Sequence, residues 1–387
     1  MNQILVGAIA LALGTGAHGF AQSLEDLNIQ IHGYATQGFL YTTDNNILTT
    51  HSSDGSPAWT EAVLNIGAQP IPKLRIAVQG RYFLLGNFGN QITLDWAAAD
   101  YKADDRFGVR FGKVKTPSGL FNDVQDIDPS YMWSLLPQSI YPISSRNSIL
   151  AHYGGVAYGT LSEGGKFGKL EYRGWGGERQ IGSGDGYLLV QAESGLLLPN
   201  GIGGATYGAA VRWRTPLPGL MIGASDGKDP AWSAKITAGN GFLTGTETIA
   251  PFNIPSYFTL YEKNKVMVAA EYSRLAPSIT IQFTGPPPTY ERIDYRSWYA
   301  MASYKLTSKI TAGVYDSQQV DHQATLGPAR YSKDWTISGR YDFSQYLYAK
   351  AEEHIIDGTA IGYDTDLNPN GLKPNTKLTI LKVGVSF

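Results

Sequence analysis

Lys73-Leu74-Arg75-Ile76-Ala77-Val78-Gln79-Gly80-Arg81-Tyr82-Phe83-Leu84 decides the fold. Taken at every second residue, one face carries Leu74, Ile76, Val78, Gly80, Tyr82 and Leu84. The other carries Lys73, Arg75, Ala77, Gln79, Arg81 and Phe83. Side chains alternate across a strand, so this stretch needs oil on one face and water on the other. The same alternation recurs in sixteen segments: 27–41, 58–69, 73–85, 91–101, 107–115, 148–160, 167–177, 204–214, 220–225, 257–263, 266–274, 296–306, 309–316, 334–343, 346–354 and 375–387. Their connections sort by position. The odd ones are long, with 86–90 the exception, and the even ones are turns such as Pro70-Ile71-Pro72, Asn264-Lys265, Thr307-Ser308 and Ser344-Gln345. Short turns at one end and long loops at the other are the topology of a membrane barrel. A soluble sandwich has no reason to sort its loops this way. The expected fold is all-β, a transmembrane antiparallel up-and-down β-barrel of about 16 strands.

Composition agrees. The 387 residues include 45 Gly and 24 Tyr, as many strands and turns require, and only 17% are charged. There is no Cys, which excludes disulfides and thiolate metal sites, and the net charge of −2 gives no pull toward nucleic acid. The one long apolar run, Ile4 to Leu13, is too short to span a bilayer comfortably as a helix. Small residues follow it, and Gly19-Phe20-Ala21 before Gln22 reads as a cleavage site. Residues 1–21 are therefore expected to be a cleaved signal peptide, and 22–387 a single barrel domain. The leader departs from the usual pattern in having no Lys or Arg before its apolar run. No later run approaches the length of a spanning helix, and a closed barrel is the other structure that satisfies its backbone inside lipid.

Trp213, Trp298 and Trp335 share parity with their apolar neighbours, placing them at the lipid rims as interfacial girdles. At the end of the chain Leu381, Val383, Val385 and Phe387 alternate with Lys382, Gly384 and Ser386. This strand, closed by Phe387, resembles the C-terminal assembly signal of outer-membrane barrels, and implies barrel assembly machinery as a partner. Two further stretches resemble Gram-negative porins of the sixteen-stranded, trimeric type. They are Ile31-His32-Gly33-Tyr34-Ala35-Thr36-Gln37-Gly38-Phe39 and Val109-Arg110-Phe111-Gly112-Lys113-Val114-Lys115-Thr116-Pro117-Ser118-Gly119-Leu120-Phe121. The resemblance implies a multi-pass β-barrel of the Gram-negative cell outer membrane, in contact with its lipid. It also implies a homotrimer, a passive channel for small hydrophilic solutes, and a loop after the fifth strand folded into the pore. The longest connection, 116–147, follows the fifth segment and carries Asp123, Asp126 and Asp128. Small outward residues such as Gly80, Ala209, Ala300, Ala302 and Ala312 suit close packing of neighbouring walls.

If the apolar parity faces lipid, the lumen receives about twice as many basic as acidic side chains. Arg75, Arg81 and Arg110 are then expected to form a basic wall opposite Asp123, Asp126 and Asp128 on the loop, giving weak-to-moderate anion preference. The opposing expectation is that these charges are paired with each other and contribute little. Alternatives in function are a substrate-selective channel for small carboxylates, phosphate or sugars, and an outer-membrane enzyme or adhesion barrel. No catalytic residue, cofactor or metal is assigned. Gly223-Ala224-Ser225-Asp226-Gly227 matches a nucleophile-elbow pattern but lacks the strand-to-helix turn that gives it force. Gly182-Ser183-Gly184-Asp185-Gly186 reads as a flexible loop tip. Asp364, Asp366 and Asn368 begin a calcium-loop pattern that fails at Pro369 and Asn375.

Overall fold

The computed structural model describes residues 27–182 and 184–387, and the expected leader, 1–21, lies outside the described residues. Twenty strands form among the described residues. Sixteen close a barrel: β1 (Gln30–Thr42), β2 (Ser56–Ile71), β3 (Leu74–Leu85), β4 (Phe88–Lys102), β5 (Gly108–Lys115), β6 (Ala151–Glu163), β7 (Lys169–Ile181), β8 (Ile202–Arg214), β9 (Leu220–Asp229), β12 (Phe252–Lys263), β13 (Val266–Leu275), β16 (Tyr295–Lys305), β17 (Ile310–Asp321), β18 (Tyr331–Asp342), β19 (Leu347–Gly358) and β20 (Asn375–Ser386). All neighbours are antiparallel, and β20 pairs with β1 from Leu378↔Thr42 to Ser386↔Tyr34. The expected architecture and all sixteen segments are present. The ninth and tenth segments run longer than their alternation suggested.

The barrel is inverted relative to a soluble protein. Ile66, Ile76, Phe111, Ile337 and Leu381 are exposed on its outside, while Gln79, Arg81, Glu271 and Lys350 are buried inside. Trp213, Trp298 and Trp335 are exposed on the apolar side. Such a surface is stable only in an apolar medium. Among the described residues no helix is long and apolar enough to cross a membrane; the strands are the spanning elements. Tight turns fix their register. Asn264, at φ 57°, supplies the left-handed conformation that the two-residue turn between β12 and β13 requires.

The other four strands were not anticipated. Within the long connections after β9 and β13, β10 (Trp232–Ala238), β11 (Leu243–Ile249), β14 (Ser278–Phe283) and β15 (Thr289–Arg292) make a separate sheet in the order β10-β11-β14-β15. Trp232, Ile236, Ile249 and Ile279 of this sheet pack on Leu188 of the helix Gly186–Glu193 and on Leu196 and Leu198 beyond it. Asp185 caps that helix by accepting from the Tyr187 backbone N–H at 3.1 Å. It also accepts from the Ser145 and Ser148 hydroxyls, and burial pushes its carboxyl above the usual range. The Gly-rich stretch expected to be a flexible tip therefore ends in a buried helix cap.

Phe387 closes the barrel. Its backbone exchanges two hydrogen bonds with Gly33, 3.1 and 3.0 Å, while the residue is 64% exposed. Deleting Phe387 should lower the yield of assembled barrel several-fold and change single-channel conductance far less, although the residue also borders the lumen. Heat-modifiability on gels measures the yield and bilayer recording the conductance; unchanged yield with altered conductance would contradict this.

Candidate functional site

After β5 the chain leaves the wall and returns to it only at β6. Three contacts close the base of this connection. Thr116 N–H donates to the Leu150 carbonyl at 2.9 Å, and the Asn122 side chain donates to the Thr116 and Ile149 carbonyls at 2.6 and 3.2 Å. The sequence between is rich in apolar and aromatic residues, so it buries itself in the lumen. On one side Trp133, Leu136 and Tyr141 pack with Met221, Phe258 and Tyr315 of β9, β12 and β17. On the other, Leu135 enters a cluster with Leu40 of β1, Trp59 of β2 and Phe83 of β3. One loop thus touches opposite walls.

Wall charges grip the loop's backbone. Arg340 donates to the carbonyls of Pro129 and Tyr131 at 2.7 and 2.8 Å, and Lys350 to that of Trp133 at 2.8 Å. Glu352 accepts from the Ser134 and Leu135 N–H groups at 2.6 and 3.1 Å. Glu271 accepts from the hydroxyls of Tyr141, Ser256 and Tyr299 at 2.6, 2.6 and 3.0 Å. These four lumenal charges are consumed in satisfying buried polar groups, which would otherwise be costly.

The six residues singled out for the constriction divide into two groups. Arg75, Arg110, Asp123 and Asp126 border a lumenal cavity of about 740 Å³, together with Lys115 and Arg173. Arg110 forks onto Asp100 at 3.0 and 2.7 Å. Asp123 pairs with Arg173 and, at 3.0 Å, with Arg212. Asp126 accepts from Lys115, Gln79 and Trp96 at 2.7, 2.8 and 3.0 Å. Arg75 is exposed and makes no ion pair among the described residues. Arg81 and Asp128 do not border this cavity. Arg81 is 2% exposed, bonded to Glu61 at 2.5 Å and lying 3.7 Å over the Phe83 ring. Asp128 holds Lys350 at 2.9 Å, Lys382 at 2.5 Å and the Tyr348 hydroxyl at 2.7 Å. Burial alone would raise the Asp128 carboxyl, but the two ammonium groups outweigh it and hold it well below the usual carboxylate range.

Three residues that shape the site gave little sequence signal. Arg146 lies in a short helix, Arg146–Leu150, and meets Asp95 through two bonds of 2.8 Å. Lys115 has the parity of an outward residue yet reaches Asp126. Trp133 sits mid-loop, where no periodicity marks a buried residue. Ser225 lies within β9, accepting from the Gly119 N–H at 3.0 Å, so it anchors the loop and sits on no nucleophile turn. In the partial calcium pattern, Asp364 accepts from the backbone N–H groups of Asp366 and Leu367 at 2.9 and 3.2 Å, and Asn368 ties this turn to Asn46.

No family model and no curated protein matches the chain. Solved structures do. The anion-selective porin of Comamonas acidovorans aligns at a TM-score of 0.55 and 9% identity, over 93% of this chain and 99% of that one. OmpF of Salmonella typhi, in complex with daunomycin, gives 0.56 and 14%, over 94% and 99%. The outer membrane protein OmpT of Vibrio cholerae, in its trimer form, gives 0.52 and 11%, over 93% and 99%. The chain shares the porin fold; at these identities the likeness extends to the fold alone.

Proposed function

We propose that the chain is a porin of the Gram-negative outer membrane, a passive channel for small hydrophilic solutes narrowed by the loop 116–147. The observation that carries this reading is the cavity bordered by Arg75, Arg110 and Asp123 inside a barrel whose outer wall is apolar. Water and ions can wet that lumen while lipid wets the outside. Export with removal of residues 1–21 and assembly as a homotrimer belong to the same proposal, the trimer supported by the Vibrio cholerae fold relative described in that form.

Selectivity follows from what remains unpaired. Four cationic side chains border the cavity, Arg75, Arg110, Lys115 and Arg173, and the last three pair with Asp100, Asp126 and Asp123. Arg75 is the guanidinium among them without a carboxylate partner in the described residues. This supports a weak anion preference, since charges act more strongly in a narrow lumen than on an open surface. Arg75→Ser should move the reversal potential in a salt gradient toward the cation value with little change in conductance, and Arg75→Lys should keep the original value. An unmoved reversal potential in Arg75→Ser would remove the anion preference.

The same free guanidinium favours small carboxylates or phosphate over sugars in a substrate-selective variant of this reading, because its planar fork matches both anions. Such a channel would show saturable block of conductance by one of those anions. A general porin would show none.

A further inference from the structure

The wall that grips residues 133–135 of the loop has a further layer of polar contacts behind it. On the inward face of β18 stand Asp334 and Thr336, and on that of β19 stand Glu352 and His354. All four are buried, His354 at 1% exposure. His354 lies between its neighbours in the sheet, Thr336 and Leu378, with the Tyr315 ring edge-on to it at 6.2 Å between centroids. Tyr315 in turn donates to the Leu135 carbonyl at 3.5 Å.

The hydrogen bonds around the ring have one consistent direction. The Thr336 hydroxyl donates to Asp334 Oδ1 at 3.1 Å, so its oxygen accepts from His354 Nδ1 at 2.9 Å. Nδ1 also meets Asp334 Oδ2, 3.0 Å away. On the other side of the ring, Nε2 meets Glu352 Oε2 at 3.3 Å. Carboxylates accept and do not donate, so both ring nitrogens carry hydrogen and the ring is an imidazolium. Among the described residues it is the one cation bonded to either carboxylate. Lys350, the next inward cation of β19, is spent on Asp128 and the Trp133 carbonyl. Glu352 turns this chemistry toward the loop, since its two oxygens take the consecutive Ser134 and Leu135 N–H groups. Buried charge without a partner is costly, and breaking such a pair from one side leaves that cost in place. A single imidazolium between Asp334 and Glu352 offsets it for both and leaves Glu352 free to hold the loop.

We infer that His354 is a positioning residue of the pore: its charge, shared by Asp334 and Glu352, fixes residues 134–135 against the β18–β19 wall. The inference rests on the reading of loop 116–147 as the constriction, and adds the group that sets how closely the loop stands to that wall. Size matters less than charge here. A cavity of about 30 Å³ adjoins His354 and Asp334, lined also by Ser139 and Ser317, so packing does not wedge the ring in place.

The test compares the native full chain with His354→Gln and with the double variant His354→Gln, Asp334→Asn in planar bilayers. The heat-modifiable band measures assembly. His354→Gln leaves two buried carboxylates without a cation, and open-channel noise should rise several-fold as the loop loosens. The double variant removes one carboxylate together with the cation and so restores the native balance of charge. Its noise should return to the native level. A role in packing alone predicts otherwise, because two replacements disturb the site at least as much as one. Unchanged noise in His354→Gln, or noise in the double variant as high as in the single one, would overturn the inference. If His354→Gln does not assemble, the yield of the double variant is read in the same way, with recovery expected and no recovery overturning it. A native chain that inserts and passes no current would overturn the channel reading instead, and thermal unfolding of the same variants would still read the charge balance.

Discussion

Asp128→Ala is expected to raise single-channel conductance and open-channel noise, the largest effect of any single replacement in the lumen. Lys350 and Lys382, both 2% exposed, would lose their shared carboxylate and remain buried. Breaking a buried pair from one side costs roughly 3–5 kcal/mol, because the remaining charge is uncompensated. Lys350 also donates to the Trp133 carbonyl, so its rearrangement loosens the apolar part of the loop as well. Lys350 and Lys382 lie on β19 and β20, so the heat-modifiable band should also unfold at a lower temperature. The pH dependence follows from the direction of the shift. A carboxyl depressed in the folded state stabilises it above the unfolded pKa, near 3.9, and loses that contribution only as pH falls through the folded value. The loop anchored by Asp128 should therefore stay in place from neutral pH down to about 4 and release only in stronger acid. A conductance unchanged in Asp128→Ala would show that Arg340, Glu352, Glu271 and the apolar clusters hold the loop without Asp128.

Arg81→Ser is expected to act in the opposite way to Arg75→Ser: a large loss of stability with unchanged ion selectivity. The Arg81 guanidinium is buried against Glu61 and Phe83 and is absent from the cavity wall. Its removal leaves Glu61 buried without its cation, again roughly 3–5 kcal/mol. Thermal unfolding of the heat-modifiable band should move to lower temperature, while the reversal potential keeps its original value. A shifted reversal potential in Arg81→Ser would place that side chain in the ion path after all.

These two arginines mark how far the sequence could be read. They share one strand face, and alternation puts both opposite the apolar side chains. Alternation says nothing of what stands opposite, and Glu61 on β2 meets Arg81 while no carboxylate among the described residues pairs with Arg75. The strands were legible because lipid outside and water inside impose a period of two on every one of them. The loop after β5 obeys no such rule. Its length and its acids drew attention, but Asp128 proves to be an anchor and Trp133, Leu135 and Arg146 carry its packing. The sheet of β10, β11, β14 and β15 escaped notice for a related reason. Its strands are short, and their apolar face is answered by Leu188 and Leu196 from a distant connection. Asp185 read as part of a flexible tip because the helix it caps has only eight residues.

Single-channel recording of the purified full-length chain in a planar bilayer under a salt gradient tests the central claim most directly. A water-filled barrel narrowed by an inserted loop predicts discrete, reproducible conductance steps with a reversal potential slightly on the anion side. A chain that inserts as a heat-modifiable barrel yet passes no current would contradict it, and the lumenal loop would then be a plug.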